Sequence, residues 1–313
     1  MRYLIITEQK NNYFYPYINN KNIDIKKVYD IDTPKKKFEM QLLRKFNLNH
    51  SKYINSNKAG NNYDMIVYFD ISCTYRSLPY LKGNNKDVRL FLWNIVDDFI
   101  GRLKLENEKA DMEYVKSCFD KVYSFDKDDC KKYGLEYYPP LYSSQVILSK
   151  EQPKIDVVFL GAEKGRFEKL KEVYSLFGKY DQKYHVYKSG TKIIDKSGLE
   201  TSDRKITYDE YIDWVNESKC ILDIPQDGQI GFTIRILESI FLKKKLITTF
   251  SGIKKYSLYN SNNIYIVGED DQMSIDDFIS SPYQEIKDDV LSYYDCATWL
   301  DNMKNNIVIP EGI

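Results

Sequence analysis

The stretch CILDIPQDGQIGFTIRILESIFLKKKLITTF, which runs from Cys220 to Phe250, decides the fold of the second half of the chain. Its first five residues are apolar apart from Asp223, which is typical of a buried strand. Pro225 and the glycines after it interrupt this run. An apolar periodicity then predicts a helix beginning near Gly231, followed by a second strand. This order of strand, loop, helix and strand is the repeating unit of a parallel α/β sheet.

The predicted helix carries two different faces. A helical period places four apolar residues on a face that we expect to be buried: Ile230, Ile234, Leu237 and Phe241. Arg235 and Glu238 share another face, about 4.5 Å apart along the axis. They lie near a helix N-terminus, where free N–H groups attract anions, so a diphosphate and a ribose fit this arrangement. The alternative interpretation is an ordinary αβ unit with a surface ion pair.

The same stretch resembles the donor-side signature of GT-B glycosyltransferases, most closely those that build bacterial capsule and lipopolysaccharide. The matching positions are Ser218 to Ile224, Gln226, Gly228, Gln229, Gly231, Thr233, Arg235, Glu238 and Lys244 to Thr248. Further blocks that resemble the family are Tyr63 to Asp70, Val122 to Leu135, and Asp156 to Gly161 with Lys164 to Arg166. The resemblance therefore spans most of the chain, and the block from Gln229 to Glu238 is its most specific part.

The resemblance implies a fold, an activity and a set of binding residues. The implied fold is α/β and GT-B-like, with two Rossmann-like parallel-sheet domains facing across a cleft. The implied activity transfers a sugar from a nucleotide-sugar donor to a cell-surface glycan or polyprenyl-linked acceptor, with no metal cofactor. The implied donor-binding residues are Gly161, Lys164, Arg166, Gln226, Gly228, Gln229, Thr233, Arg235 and Glu238.

Within that set, Glu238 is expected to accept hydrogen bonds from the ribose hydroxyls. Lys164, Arg166 and Arg235 are expected to neutralise the diphosphate. The chain departs from the paired-glutamate motif of many retaining GT-B enzymes, because the earlier position falls near the apolar Ile230. Retaining chemistry therefore gains no support from this motif.

Length and composition set outer limits. The chain has 313 residues, of which 42% are hydrophobic, enough for two α/β cores. Its 46 basic and 46 acidic residues balance, so we expect no nucleic-acid partner. Five cysteines without CxxC spacing fit a reducing cytoplasm. Two histidines, His50 and His185, argue against a histidine metal site or a Ser-His-Asp triad.

Strands alternate with helical runs in both halves, and a proline-containing segment separates them. We predict an acceptor-side domain over 1–145, a donor-binding domain over 146–283, and a C-terminal helical stretch over 284–313 that returns to the first domain. The segment 137–153 contains Pro139, Pro140 and Pro153 and is the predicted linker. Within the second half, a short strand is predicted over 205–207.

The catalytic base is expected among carboxylates that follow strands of the first half. Asp70 lies just past a predicted strand and is the residue we assign to proton removal from the acceptor. Glu8, Asp97 and Asp98 occupy similar positions, and for each carboxylate a turn or N-cap role is the alternative. Asp30-Ile31-Asp32 and Asp126-Lys127-Asp128 match the D-x-D pattern of metal-dependent GT-A transferases, which is the alternative enzyme class.

A cationic amphipathic segment lies near the N-terminus. Its basic residues Lys35, Lys36, Lys37, Arg44 and Lys45 surround Phe38, Met40, Leu42, Leu43 and Phe46. Such a segment fits peripheral contact with anionic lipid at the inner face of the membrane, although a solvated helix face is the alternative. No apolar run reaches the length of a membrane span. We expect a cytoplasmic enzyme, and a non-catalytic two-domain sugar- or nucleotide-binding protein is the alternative outside enzymes.

Overall fold

The structure is a computed structural model that describes residues 1–58, 62–149, 152–190, 193–226, 233–270, 274–310 and 312. The chain divides into two compact units. The first contains Met1–Pro140 and Ala297–Val308, and the second contains Leu141–Cys296 and Ile309–Ile313. Each unit holds one six-stranded sheet, and every strand pairing within it is parallel. The expectation of two parallel α/β sheets is therefore confirmed.

The sheet of the first unit has the order β2-β1-β3-β4-β5-β6. Its strands are β1 (Tyr3–Ile6), β2 (Ile23–Lys26), β3 (Met65–Phe69), β4 (Val88–Leu92), β5 (Lys121–Ser124) and β6 (Glu136–Tyr137). β1, β3 and β4 are buried along their whole length, as expected for strands covered by helices on both faces. The strand order reverses between β1 and β3, which makes their carboxyl ends the switch point of this sheet.

The helices of the first unit range from 4 to 12 residues in length. They are α1 (Pro34–Lys45), α2 (Asn55–Lys58), α3 (Leu78–Leu81), α4 (Val96–Lys104), α5 (Met112–Ser117) and α6 (Lys127–Tyr133). Thr33 caps α1 and Pro34 occupies its first turn, where the missing N–H costs nothing. Asp126 caps α6, and Gly134 ends it in the left-handed conformation at φ +61°.

The sheet of the second unit has the order β12-β11-β10-β7-β8-β9. Its strands are β7 (Ile155–Ala162), β8 (Gln182–Tyr187), β9 (Thr201–Ser202), β10 (Ser218–Asp223), β11 (Lys245–Thr248) and β12 (Ile264–Ile266). Counted from β7, this is the 3-2-1-4-5-6 order of the dinucleotide-binding fold, and its switch point lies between β7 and β10. The strand predicted over 205–207 is wrong, because Thr207 instead caps the next helix.

The second unit contains α7 (Phe167–Leu176), α8 (Tyr208–Asn216), α9 (Ile234–Phe241), α10 (Ile275–Ser280) and α11 (Asp288–Ser292). α9 is the helix of the opening stretch, and Thr233 is its N-cap. Its predicted buried face is only partly correct, since Leu237 is buried whereas Ile234 and Phe241 are half-buried. Every residue of 236–240 is buried, so α9 is covered on more than one side.

A last helix, α12 (Cys296–Lys304), completes the core of the first unit. Trp299 is fully buried, and its ring lies 5.2 Å from that of Phe91 and 5.1 Å from that of Tyr138. Its indole N–H donates to the Pro139 carbonyl at 2.8 Å. The guanidinium of Arg89, on β4, donates to the carbonyl oxygen of Met303. Residues 297–308 are therefore an integral part of the first unit's core.

Candidate functional site

The carboxyl ends of β7 and β10 lie side by side at the switch point of the second sheet. In open parallel sheets, ligands bind in the crevice outside the strands at such a point. Here β7 ends at Ala162 and β10 at Asp223. Two arginines from different helices reach this edge, Arg166 from the start of α7 and Arg235 from the first turn of α9. Two positive side chains thus meet where the fold places ligands.

Asp223 is the buried carboxylate of this edge. The Thr233 hydroxyl donates to its Oδ1 at 2.7 Å, and the Thr248 hydroxyl donates to its Oδ2 at 3.1 Å. Burial raises the pKa of Asp223, while the two hydroxyls and the nearby charges of Arg166 and Arg235 lower it. Sequence reasoning did not assign Asp223 to the site. The available signal was a carboxylate inside an otherwise apolar strand.

Arg166 binds the backbone at the ends of both strands. Its Nε donates to the Ala162 carbonyl at 3.0 Å, and its Nη1 donates to the Ile224 carbonyl. The guanidinium lies 5.4 Å from the centre of the Phe159 ring. Burial lowers the pKa of Arg166 from its ordinary value. Gly161 makes room for this group, because a Cβ there would lie 2.5 Å from Arg166 Nη2.

The turn between β7 and α7 has an unusual backbone. Lys164 and Gly165 both have positive φ, at +43° and +80°. Glycine adopts this region freely, whereas for a lysine it costs about 1 kcal/mol. The Arg166 N–H donates to the Glu163 carbonyl at 3.0 Å and closes the turn. Lys164 is exposed at this turn, so the strained position presents a cation next to Arg166.

Arg235 and Glu238 form a buried ion pair on α9. Arg235 Nη1 donates to Glu238 Oε2, and Arg235 Nη2 donates to the Leu160 carbonyl on β7 at 3.1 Å. The Glu238 side chain is fully buried and that of Arg235 is 14% exposed. Tyr211 of α8 supports both groups, with its ring 4.2 Å from the guanidinium and its hydroxyl donating to Oε2 at 3.1 Å. The alternative interpretation of a surface ion pair is therefore wrong, because the pair is buried.

One oxygen of this pair is unsatisfied. Glu238 Oε1 is buried and accepts no hydrogen bond from any residue that the structure describes. A buried acceptor without a donor is rare, and it commonly marks the place of a water or a ligand. Burial raises the pKa of Tyr211 far above its ordinary value, so its hydroxyl stays a donor. Sequence reasoning missed Tyr211, because nothing near α8 signals a contact 27 residues away.

Of the remaining predicted donor residues, two lie in the described part of the chain and two lie outside it. Thr233 lies at the site, since its hydroxyl donates to Asp223 and accepts from the Arg235 N–H at 3.2 Å. Gln226 follows β10 and is half-buried. Gly228 and Gln229 lie outside the described residues, as does Ile230. The structure therefore brings together Gly161, Arg166, Thr233, Arg235 and Glu238, with Lys164 beside them.

Asp70, the predicted base, lies at the switch point of the first sheet. Its carboxylate is fully buried and accepts from the Trp93 N–H at 3.0 Å, from Asn94 Nδ2 at 2.8 Å and from Arg102 Nη2 at 2.7 Å. Burial raises the pKa of Asp70. A carboxylate with three donors and no exposed surface holds neighbouring loops together. Its assignment as base stays a prediction.

The other carboxylates proposed as base have different surroundings. Glu8 is exposed after β1, and its Oε1 accepts from the Val28 N–H at 3.3 Å. Asp97 lies in the first turn of α4, and its Oδ2 lies 2.8 Å from Lys132 Nζ. Asp98 is exposed in the same turn. Of these groups, Glu8 combines exposure with a position at the switch point of the first sheet.

The two D-x-D sequences have structural roles. Asp30 forms an ion pair with Lys58 at 2.5 Å, and Asp32 forms one with Lys36 at 2.7 Å. Asp126 is buried, and its Oδ1 caps α6 by accepting from the N–H of Asp128 at 2.9 Å. Across the described ranges, no group of three or more His, Cys, Asp or Glu side chains is arranged to hold a metal ion.

The first unit also contains a cavity of 250 Å³ that sequence reasoning did not anticipate. It is lined by Asn47, Leu48, His50, Tyr75, Arg76, Pro79, Tyr80, Glu106 and Asn107. His50 is buried beside it, with its Nδ1 3.1 Å from the Leu48 carbonyl. These residues come from three separate segments of the chain, so no local motif marks the cavity.

Comparison with known proteins gives remote structural similarities. No family model and no curated protein matches the sequence. The glycosyltransferase of kitacinnamycin is similar over 97% of this chain and 98% of its own, at 8% identity and a TM-score of 0.43. A T4 phage BGT complex with UDP-glucose is similar over 99% and 100%, at 12% identity and a TM-score of 0.46. Sucrose-phosphate synthase from Thermosynechococcus elongatus is similar over 97% and 90%, at 9% and 0.48. These values are too low to assign a function, so the interpretation rests on the site itself.

None of the helices in the described part of the chain is both long and apolar enough to span a bilayer.

Proposed function

We propose that the protein is a GT-B-type glycosyltransferase whose second unit binds a nucleotide-sugar donor. The observation that carries the proposal is the meeting of Arg166 and Arg235 at the switch point between β7 and β10. Arg166 donates to neutral carbonyl oxygens in the bonds described above, so its charge is not neutralised by a direct carboxylate partner there. A diphosphate supplies the missing negative charge in the crevice where this fold binds nucleotides.

The proposed reaction transfers a sugar with displacement of the nucleotide. A hydroxyl oxygen of the acceptor forms a bond to the anomeric carbon, while the bond from that carbon to the diphosphate oxygen breaks. The leaving diphosphate gains negative charge, which the guanidinium groups of Arg166 and Arg235 stabilise, together with Lys164. A carboxylate takes the proton of the acceptor hydroxyl. These residues then act where charge develops, as donors fixed by the sheet.

Glu238 is proposed to recognise the ribose. Its Oε1 lacks a donor among the described residues, and a ribose hydroxyl would satisfy it. Because the carboxylate is fully buried, this contact requires donor binding to open a path to Oε1. Gln226, Gly228, Gln229 and Thr233 are proposed to complete the donor site, on the basis of the sequence resemblance alone.

The acceptor and the cellular setting are proposed from the same resemblance. The acceptor is a cell-surface glycan or a polyprenyl-linked sugar of the bacterial capsule or lipopolysaccharide type, held by the first unit. The enzyme acts in the cytoplasm at the inner face of the membrane, with no metal cofactor and no nucleic-acid partner. The balanced charge of the chain is consistent with the last of these proposals.

Nucleoside diphosphates provide the test, because they bind the donor site without an acceptor. We expect one member of a panel that differs in its base to stabilise the protein in the presence of EDTA. At a concentration a hundredfold above its dissociation constant, the gain in unfolding free energy is about 2.7 kcal/mol. Thermal and urea unfolding with and without nucleotide measure it. Stabilisation that vanishes in EDTA and returns with manganese would contradict the metal-free site.

Matched variants locate the binding site. Arg166→Gln and Arg235→Gln are expected to weaken the nucleotide by about tenfold or more, since a hydrogen bond to a charged group contributes about 1.5–3 kcal/mol. Arg102→Gln is the control, because Arg102, like Arg235, pairs with a buried carboxylate but belongs to the first unit. It is expected to leave nucleotide affinity unchanged. Calorimetry on the folded variants measures the affinity. If all three variants bind the nucleotide as tightly as wild type, Arg166 and Arg235 are not part of the binding site.

A further inference from the structure

Helix α1 directs its apolar stripe to solvent. Phe38 and Phe46 expose 67% and 61% of their surface, and Leu42, one turn from each, is exposed as well. Met40, on the opposite side, is the residue of α1 that is buried. A surface helix ordinarily packs its apolar stripe on the core and leaves its polar face outside. α1 therefore shows an inverted arrangement that the fold of the first unit does not explain.

Two leucines extend this stripe. Leu48 follows α1 and is exposed, and Leu105 follows α4 and exposes 88% of its surface. Arg44 Nη2 lies 3.2 Å from Glu106 Oε1, which joins the end of α1 to the segment after α4. The ion pair places the segment that carries Leu105 near the C-terminal end of α1. We call the group Phe38, Leu42, Phe46, Leu48 and Leu105 the α1 surface. Contiguous exposed apolar groups of this kind mark interaction sites.

Lysines beside the α1 surface carry charge that no neighbouring acid neutralises. Lys35, Lys37 and Lys45 are exposed, and in the described ranges none of them forms an ion pair with a carboxylate. The acidic side chains nearby already have partners: Asp32 with Lys36, Glu39 with Lys52, and Glu106 with Arg44. The chain as a whole has no net charge, so this local excess is not a consequence of overall composition.

We propose that the α1 surface binds the surface of a bilayer that contains anionic phospholipid. Exposed phenylalanines and leucines insert at the boundary between headgroups and acyl chains, as in interfacial amphipathic helices. Lys35, Lys37 and Lys45 meet the negative charge of the headgroups. The partner is anionic because the unpaired charges around the stripe are positive. The proposal does not depend on sugar transfer, since it rests on residues of the first unit alone.

Vesicle flotation of the full chain tests the proposal, using phosphatidylcholine vesicles with and without phosphatidylglycerol, an anionic lipid. The protein is expected to float with the anionic vesicles and not with the neutral ones. Raising the ionic strength from about 0.1 M to 1 M shortens the Debye length roughly threefold and should release it. Equal flotation with both kinds of vesicle, or flotation with neither, would overturn the proposal.

Variants separate the two parts of the surface. Lys35→Gln, Lys37→Gln and Lys45→Gln together are expected to lower the partition coefficient on the order of 100-fold, at about fivefold for each lysine. The control removes the same charge at exposed lysines elsewhere: Lys131→Gln, Lys169→Gln and Lys196→Gln. Its partition coefficient is expected to stay within about twofold of wild type. If the control variant loses as much vesicle binding, the loss is explained by the change in net charge alone, and the proposal is overturned.

Phe38→Ser with Phe46→Ser tests the apolar part, with an expected loss of at least about tenfold. Its control is Ile147→Ser with Leu176→Ser, which changes two exposed apolar residues of the second unit. Sedimentation velocity without lipid addresses a second copy as the occupant. A wild-type dimer that becomes monomeric in the phenylalanine variant would assign the surface to self-association instead. Because neither assay requires donor or turnover, failure here is distinct from failure of the proposed transferase.

Discussion

Each sheet buries one aspartate at its switch point, Asp70 after β3 and Asp223 at the end of β10, and the two differ in how they are neutralised. Asp70 has a direct ion pair with Arg102 at 2.7 Å. Asp223 instead accepts from the hydroxyls of Thr233 and Thr248. The arginines of the second switch point use their hydrogen bonds on backbone carbonyls and on Glu238.

The difference shows how two similar sheet edges come to differ in the positive charge that they offer to a ligand. In the first unit, the guanidinium of Arg102 and the carboxylate of Asp70 neutralise each other. In the second unit, threonines hold the aspartate, and Arg166 remains without a direct carboxylate partner in its described bonds. Lys164 adds a further exposed cation at the adjacent turn. We therefore expect an anionic ligand to bind at the second edge rather than at the first.

The largest expected effect comes from removing the carboxylate of the second cluster. Glu238→Ala leaves Arg235 buried without its ion-pair partner, at a cost of about 3–5 kcal/mol in unfolding free energy. Urea unfolding at pH 7 measures the loss. Glu238→Gln keeps the shape and is expected to lose less. A loss below about 1 kcal/mol for Glu238→Ala would mean that the pair contributes as little as a surface salt bridge.

Asp70→Asn is the corresponding change in the first unit. Its expected cost is smaller, about 1.5–3 kcal/mol, because Arg102 is 40% exposed and water can solvate the unpaired guanidinium. Nucleotide affinity should not change. If Asp70 also acts as the base, single-turnover sugar transfer falls by about 10² to 10⁴-fold in the variant that remains folded.

Glu8→Gln and Asp97→Asn complete the test of the base. A large loss of transfer in Glu8→Gln alone would assign proton removal to Glu8 and leave Asp70 as a positioning residue. Full activity in all three variants, each folded and each binding nucleotide, would rule out these carboxylates as the base.

The smallest expected effect is on the pH dependence of stability. Burial raises the pKa of Asp70 and of Asp223 in the folded protein, so above the ordinary aspartate value of about 3.9 the folded state binds more protons than the unfolded state. Each group therefore makes the unfolding free energy fall as the pH rises through that window, by at most about 1.4 kcal/mol per pH unit.

Urea unfolding at several pH values between about 4 and 7, above the ordinary aspartate pKa, measures how the unfolding free energy changes with pH. In Asp223→Asn and Asp70→Asn the contribution of that group disappears, so the advantage of wild type over the variant shrinks as the pH rises. Asp98→Asn, at an exposed position, is the control. An advantage of wild type that grows with pH would show that hydrogen bonds and arginine charges outweigh burial at that site.

Local sequence patterns predicted the elements of the site better than their surroundings. The strand before Pro225 and the helix that carries Arg235 and Glu238 both lie where the sequence indicated. Burial of Glu238 could not be predicted, because it depends on Tyr211 from another helix. A three-residue spacing is compatible with a surface pair as well as with a core pair.

Local capping accounts for two of the other differences, and long-range contacts account for the third. Asp126 matches a metal-binding pattern, and yet it caps α6, because an aspartate before a helix serves either purpose. Asp70 follows a strand as predicted, but Arg102 and Asn94, which surround it, come from later segments. The strand predicted over 205–207 is wrong because Thr207 caps α8 through a capping box with Glu210.

The insertion of Trp299 among Phe69, Phe91 and Tyr138 sets an order for folding during synthesis. The first unit draws residues 297–308 from beyond the whole of 141–296, so its core cannot be completed until nearly all of the second unit has been synthesised. The second unit is nearly continuous in sequence, so it can fold while the aromatic core of the first unit still lacks Trp299. Nascent chains that stall before residue 297 should therefore expose this core to chaperones, and 1–140 produced alone should be prone to aggregation.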